Sequence, residues 1–216
     1  MDITYLGHAS FRLRGKTASL VTDPFDSKVV GFPFPKVSAE IVTISHNHDD
    51  HNKAELVKDV KKVVSGPGEY EINEVSIIGI STYHDDKKGA KRGKNTIYVI
   101  EMDGQRIVHL GDLGHKLSEK FIEKVGSVDV LMIPVGGEYT IDVIQATELV
   151  RAIEPRITIP MHFKVSKLNP ETFSKLSSVE PFLTQVGLPV EKTRKLNVST
   201  GAIEEEQKVV LLENKR

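Results

Sequence analysis

The chain of 216 residues contains no cysteine, which excludes disulfide bonds, a thiolate nucleophile and cysteine-bearing metal sites. Neither sign of charge dominates: the net charge is −1, and the chain lacks the basic stripe that marks a nucleic-acid-binding domain. No apolar run approaches the roughly 18 residues of a membrane span, and residues 1–8 lack the features of a signal peptide. We therefore expect a cytoplasmic protein without membrane or nucleic-acid partners.

The composition and the spacing of apolar residues predict a single α/β domain over residues 1–216. An apolar content of 39% and a charged content of 27% suit a globular chain that can bury a substantial core. Short extended segments dominate the first half, whereas helices and strands alternate in the second, which predicts two β-sheets with helices outside. The predicted helices span 53–60, 118–125, 142–153 and 170–176, and the last three have Ser118, Asp142 and Asn169 as caps.

The most informative segment is residues 46–51, His-Asn-His-Asp-Asp-His, which directly follows a predicted buried strand. Residues two apart point the same way at the end of an extended strand, so His46 and His48 can bind one ion together. A bend then lets Asp50 and His51 face a second ion. Imidazole nitrogen and carboxylate oxygen both suit zinc and similar divalent ions. The segment therefore predicts a site for two-metal hydrolysis.

Three further candidate ligands follow predicted strands: His84, Asp112 and His162. Polar residues just beyond buried strands are where sites form in layered α/β folds. Each residue also has a plainer interpretation, because a lone histidine there is commonly a surface or capping residue and Asp112 could form a turn. The segment 46–51 favours the ligand interpretation, since an ion held by two histidines needs more donors and a carboxylate can bridge two ions.

With these motifs the chain resembles the metallo-β-lactamase superfamily, whose fold is a four-layer αββα sandwich. The resemblance implies two mixed β-sheets with helices on the outer faces. More narrowly, the chain is similar to small metal-dependent hydrolases of the ascorbate-6-phosphate-lactonase-like branch. The segments that support this narrower resemblance are Gly7-His8-Ala9-Ser10, Thr22-Asp23-Pro24, Pro134-Val135-Gly136-Gly137 and Ile159-Pro160-Met161-His162.

The resemblance also implies a role for each candidate ligand. The first metal would be held by His46, His48 and His84, the second by Asp50, His51 and His162, and Asp112 would bridge the two. Relatives with glutamate in place of His48 favour iron and redox chemistry, so histidine there favours zinc and hydrolysis, with manganese, iron and nickel as alternatives. A metal-bridging hydroxide would then attack the carbonyl or phosphoryl centre of a small-molecule ester, lactone or phosphoester. Asp50 could orient that hydroxide while it binds metal.

Three residues outside the ligand set are candidates for supporting roles. His8 could contact the substrate beside the metals, or it could only close a hairpin. Asp23 could accept a hydrogen bond from a ligating histidine, which would orient that ligand, or it could be a turn former before proline. Tyr139 could help to neutralise an oxyanion, or it could belong to a flexible lead-in to the following helix. His109 is expected to be a packed or solvent-facing sheet residue.

Two loops and two other functions stay open at this point. The basic segment 87–94 could be a mobile surface loop or a lid that attracts anions, and the aromatic, proline-rich segment 24–35 could also cover the site. A non-catalytic metal-bound sensor or scaffold would use the same fold. A nucleic-acid phosphodiesterase is disfavoured by the near-neutral charge. We expect a small-molecule substrate, and a homo-oligomer is left open.

Overall fold

The structure, a computed structural model, describes residues 1–199 and 206–213. The first strands are β1 (Asp2–Gly7), β2 (Ser10–Arg14), β3 (Ser19–Thr22), β4 (Val37–Ser38), β5 (Ile41–Ile44), β6 (Val57–Lys58), β7 (Lys62–Ser65) and β8 (Gly68–Ile72). The remaining strands are β9 (Val75–Tyr83), β10 (Lys94–Met102), β11 (Gln105–His109), β12 (Val130–Pro134), β13 (Ile157–Met161), β14 (Val190–Thr193), β15 (Leu196–Asn197) and β16 (Lys208–Leu212). The helices are α1 (Ser27–Val30), α2 (Glu119–Val125), α3 (Val143–Ile153), α4 (Pro170–Phe173) and α5 (Glu180–Val186).

The strands form two large mixed sheets. The first sheet has the order β15-β1-β2-β3-β5-β7, with antiparallel pairs from β15 to β3 and parallel pairs from β3 to β7. The second has the order β14-β16-β13-β12-β11-β10-β9-β8, antiparallel from β8 to β11 and parallel from β11 to β14. The prediction of two mixed sheets is therefore confirmed.

A shared apolar core joins one face of each sheet. Phe11 from the first sheet and Tyr98 and Ile100 from the second belong to this core and are fully buried. Side chains alternate along a strand, so Ile97 and Val99 on the same strand, β10, face the other way, toward the helices. Each such side chain stabilises the fold by about 1.5–3 kcal/mol through burial. The alternation fixes which residues of β10 face each layer.

Helices α2, α3 and α5 cover the outer face of the second sheet through a second apolar core. The predicted caps of the first two are confirmed: Ser118 accepts from the N–H of Phe121, and Asp142 forms a reciprocal capping box with Gln145. Asn169 caps α4 as predicted, although that helix is shorter than the predicted 170–176. No helix among the described residues is long and apolar enough to cross a bilayer.

The outer face of the first sheet has a thinner cover. The small sheet of β4 and β6 packs on it through Val37 and Val57. The predicted helix 53–60 is wrong, because only a 3-10 turn forms at Ala54–Leu56 before the chain extends into β6. The extended pairing buries Val57 and leaves Leu56 42% exposed, so these neighbours do not share one helical face.

The strand topology brings several loops to one edge of the sandwich. Strands β1, β3 and β5 run in the same direction, and so do β9, β11, β12 and β13 in the other sheet. Because strands that run the same way end at the same edge, their following residues can meet there. All seven predicted metal ligands follow four of these strands, β5, β9, β11 and β13.

Candidate metal centre

The structure brings all seven predicted ligands together around Asp112. Their ligand atoms form three overlapping groups in which the atoms lie within 4.8 Å of one another. The groups are His46-His48-His84, His46-His51-Asp112 and His8-Asp50-His51-His162. We name His46, His48 and His84 the first half-site, and Asp50, His51 and His162 the second half-site.

Asp112 lies between the half-sites. Its Oδ2 atom is 3.2 Å from Nε2 of His84 in the first half-site. The same oxygen is 3.4 Å from Nε2 of His51 and 3.3 Å from Nε2 of His162 in the second. Nε2 of His46 is 3.9 Å away. One carboxylate thus reaches nitrogens of both half-sites, which is the arrangement that a bridging ligand requires.

The buried polar atoms at this centre fit divalent metal ions. Among the described residues, Nε2 of His46, His51 and His162 and Oδ1 of Asp112 are buried without a hydrogen-bond partner. Such atoms are rare because burying a polar group without a partner is costly, and a bound ion is one way to satisfy them. Imidazole nitrogens with carboxylate oxygens form a donor set that suits zinc, manganese, iron or nickel. The residues present therefore fit the implied metals.

Asp23 orients a ligand in each half-site. Its Oδ2 accepts hydrogen bonds from Nδ1 of His51 (2.9 Å) and from Oγ of Ser45 (2.6 Å). Oγ of Ser45 in turn lies 3.0 Å from Nδ1 of His46. These contacts place a proton on Nδ1 of both histidines, so Nε2 of each is the ring nitrogen that faces the centre. The structure thus supports the orienting role of Asp23, and it adds Ser45, which the sequence analysis did not single out.

The turn that presents Asp112 is fixed on both sides. Its N–H donates to Oδ1 of Asn95 at 3.0 Å, and the N–H of Gly111 donates to Nδ1 of His109 at 3.1 Å. Gly111 has φ +55°, and a Cβ there would collide with the side chains of Asn95 and Ser45. The other ring nitrogen of His109 donates to the carbonyl of Ala9 at 2.9 Å. His109 is therefore a packed sheet residue that ties this turn to the first sheet.

His8 lies against the second half-site. Its Nε2 is 3.1 Å from Oδ2 of Asp50, and its ring is 4.1 Å from the ring of His162 between centroids. The backbone of His8 is in the left-handed region at φ 56°, and its carbonyl accepts from the hydroxyl of Tyr5 and the N–H of His162. Strain of this kind costs of order 1–3 kcal/mol and is maintained by surrounding contacts. His8 thus has a fixed position beside the candidate ligands Asp50 and His162.

The imidazoles and carboxylates of the centre shift one another's pKa values. Burial lowers the pKa of His46 to about 3, and His51 acts in the same direction. Burial alone would also lower the pKa of His51, but Asp112 and Asp50 outweigh it and raise that pKa well above the usual value. Burial opposes the charge of Asp112, yet His162 and His51 hold its pKa well below the usual range. The carboxylates therefore favour a positive charge at the second half-site.

Tyr139 and the aromatic segment 24–35 lie at the border of the centre. Phe25 and Phe32 pack with Phe173, whose ring is 5.0 Å from that of His8 and 6.2 Å from that of Tyr139. The segment thus forms an apolar wall beside His8. The hydroxyl of Tyr139 donates to the carbonyl of Thr172 at 2.5 Å, so its proton is not directed at an oxyanion in this conformation.

Comparisons with known proteins agree with this fold. A family profile described as "Beta-lactamase superfamily domain" matches residues 2–162. A crystal structure from Thermotoga maritima, described as a candidate Zn-dependent hydrolase of the metallo-beta-lactamase superfamily, has a TM-score of 0.81 and 38% identity to this chain. The similarity covers 98% of this chain and 97% of that one. The chain therefore belongs to the metallo-β-lactamase superfamily, and the predicted fold class is confirmed.

Two curated relatives are similar over most of their length. One is a UPF0173 metal-dependent hydrolase from Thermoplasma acidophilum, 32% identical over 82% of this chain and 91% of the relative. The other is a UPF0173 metal-dependent hydrolase from Pyrococcus furiosus, 30% identical over 82% of this chain and 92% of the relative. The narrower resemblance to the ascorbate-6-phosphate-lactonase-like branch stays a prediction.

Proposed function

We propose that this protein is a metal-dependent hydrolase with two divalent ions, one in each half-site, that cleaves a small-molecule ester, lactone or phosphoester. The observation that carries the proposal is the position of Asp112, whose Oδ2 lies within 3.4 Å of histidine nitrogens from both half-sites. The names of the two curated relatives, both metal-dependent hydrolases, support it. Zinc is the favoured ion, with manganese, iron and nickel as alternatives. We also propose that residues 1–216 are a single hydrolase domain.

Bound divalent ions supply an activated water and polarise the carbonyl or phosphoryl group that it attacks. Asp50 would both bind metal and accept a hydrogen bond from the attacking water. His8 would hold the Asp50 carboxylate in place through the 3.1 Å contact between its Nε2 and Oδ2 of Asp50, which makes it a positioning residue. Burial lowers the pKa of His8 to about 4, so the neutral ring is favoured near neutral pH.

The space beside the first half-site supports a small substrate. A cavity of about 450 Å³ is lined by His46 and His48, and it is within the range of small-molecule sites. His48 is exposed, so a bound substrate could reach this half-site directly. The apolar wall at Phe25 and Phe173 borders His8 beside the second half-site.

Metal analysis combined with a substrate screen tests the proposal. We expect the purified protein to contain close to two equivalents of divalent metal, and we expect chelation to abolish hydrolysis of at least one lactone, ester or phosphoester. The matched variants are Asp50→Asn and Asp49→Asn, because Asp49 is an exposed neighbour that pairs only with Lys53 in the ion pairs of the described residues. Only the change at Asp50 should reduce turnover. Protein that binds no metal after reconstitution would refute the proposal.

A further inference from the structure

The cavity beside the first half-site combines candidate metal ligands with two basic side chains. His46 and His48 line it together with Arg92 and Lys94. Ser65, Ser81 and Thr96 also line it, whereas no described aspartate or glutamate does. A ligand in this cavity would therefore meet the positive charges of Arg92 and Lys94 next to the first half-site, and these charges favour an anionic group.

The loop that carries Arg92 is built on Asp85, which directly follows the candidate ligand His84. The side chain of Asp85 is shielded from solvent, and its two oxygens accept four backbone N–H groups at 2.7–2.9 Å. The donors are Lys87, Gly89, Lys91 and Arg92. The N–H of His84 also donates to the carbonyl of Gly93 at 3.1 Å. The backbone of Arg92 is thus fixed relative to His84, and the basic segment 87–94 is an organised loop.

The guanidinium of Arg92 has no carboxylate partner within ion-pair distance among the described residues. Arg106 and Arg156, by contrast, pair with Glu101 and Asp129. Cζ of Arg92 lies 5.4 Å from the ring centroid of Tyr139. A guanidinium above an aromatic face loses little of its capacity to form hydrogen bonds in its own plane. The ring of Tyr139, which does not line the cavity, therefore limits where this guanidinium can lie without using its in-plane N–H groups.

We propose that Arg92 and Lys94 form an oxyanion subsite that binds a carboxylate or phosphate group of the substrate beside the first half-site. The planar guanidinium can bind either group through two parallel hydrogen bonds. The substrate class is then a small ester, lactone or phosphoester with a second, anionic group apart from the bond that is cleaved. This inference rests on the proposed function, because only a hydrolase would bind the anion as part of its substrate. The binding of an anion itself can be measured without turnover.

Calorimetric titration of the metal-loaded protein with inorganic phosphate, and separately with succinate, tests the subsite. Arg92→Gln removes one of the two basic charges that line the cavity, whereas Lys91→Gln removes one charge from the adjacent position, which does not line it. Both changes preserve the backbone N–H groups that donate to Asp85. We expect Arg92→Gln to weaken the binding of at least one anion about tenfold or more, and Lys91→Gln to change it less than about twofold. Arg92→Lys should restore part of the affinity.

The stronger dependence on Arg92, for phosphate or for succinate, identifies which anionic group the subsite prefers. Equal affinities of the Arg92→Gln and Lys91→Gln variants for both anions would overturn the inference. Metal content and the chelator-sensitive hydrolysis of neutral lactones and esters are measured on the same preparations. If these persist while anion binding ignores Arg92, the subsite is wrong and the proposed function stands. If anion binding depends on Arg92 but no metal-loaded preparation hydrolyses any lactone, ester or phosphoester, the proposed function is wrong and the subsite stands as an anion-binding site.

Discussion

The two half-sites share Asp112 but differ in their access to solvent and in their charge. The first half-site consists of three imidazoles, includes the exposed His48, and opens on the cavity that Arg92 lines. The second contains a carboxylate, and the side chain of Asp50, at 14% exposed, is its most accessible group. This difference indicates a division of tasks. The first half-site faces the cavity, where we propose that the substrate binds, whereas the second is the more enclosed of the two.

The protein also supports the two half-sites unequally. Asp23 contacts the second directly through His51, but it reaches the first only through Ser45 and His46. The second half-site also includes His162, whose backbone is in the left-handed region at φ 51° and whose N–H donates to the carbonyl of His8. We therefore expect an ion in the second half-site to be bound more tightly.

We expect the largest effect from a substitution of Asp112, the residue that the two half-sites share. Asp112→Asn replaces an acid whose pKa is held well below the usual range by a neutral group, so both ions lose a ligand. We expect turnover to fall by about two orders of magnitude or more while the far-UV circular dichroism is unchanged. Asp49→Asn provides the control of equal charge change. Full activity in the Asp112→Asn variant would show that the half-sites do not act through Asp112.

A substitution in the first half-site alone should show whether the two half-sites bind their ions independently. His48→Ala removes an exposed ligand, and the second half-site keeps Asp50, His51 and His162. We expect the metal content to fall from about two equivalents toward about one and turnover to fall by orders of magnitude, because one ion remains without its partner. Elemental analysis after dialysis measures this. If His48→Ala lost both ions while His162→Ala kept one, the first half-site would be the one that binds its ion more tightly.

Much of the site could be predicted from the sequence because strand direction alone forces the residues after several strands to meet. His84, Asp112 and His162 lie one to three residues beyond β9, β11 and β13, so their convergence with residues 46–51 follows from topology. The link through Ser45 could not be predicted in this way. It depends on the rotamer of Ser45, which directly follows the apolar strand β5, and on where Asp23, just beyond the neighbouring strand β3, projects.

The helices also divide into those that the sequence pattern predicts and those that it does not. The amphipathic helix α3 has a cap, a full apolar face and 11 residues, and its prediction is confirmed. The segment 53–60 has a helical spacing of apolar residues but no side-chain cap at Lys53, and pairing of Val57 with β4 outweighs that weak preference. Helix α5 was not predicted, since its N-terminus at Val179 also lacks a side-chain cap and its seven residues give a weak periodic signal.

A smaller effect should compare the direct and the indirect contact of Asp23. Asp23→Asn weakens the acceptor for both His51 and Ser45, whereas Ser45→Ala removes only the link to His46. We expect Asp23→Asn to reduce metal affinity about 10- to 100-fold and Ser45→Ala to reduce it less, chiefly in the first half-site. Competition with a chromophoric chelator measures both constants. A larger loss in Ser45→Ala would contradict the proposed support of the second half-site.

The smallest effect concerns pH, and it depends on the opposite pKa shifts of the two half-sites. Burial holds the pKa of His46 at about 3, so this ring is already neutral near pH 7 and releases no proton when an ion binds. Asp112 and Asp50 overcome burial and raise the pKa of His51, so an ion must displace its proton. Metal affinity of the second half-site should therefore fall as the pH falls, by up to about tenfold per pH unit for one coupled proton.

Metal titrations of His48→Ala and His162→Ala at several pH values isolate each half-site. The His48→Ala variant should show the steeper dependence, and equal slopes would mean that the two half-sites do not differ in charge.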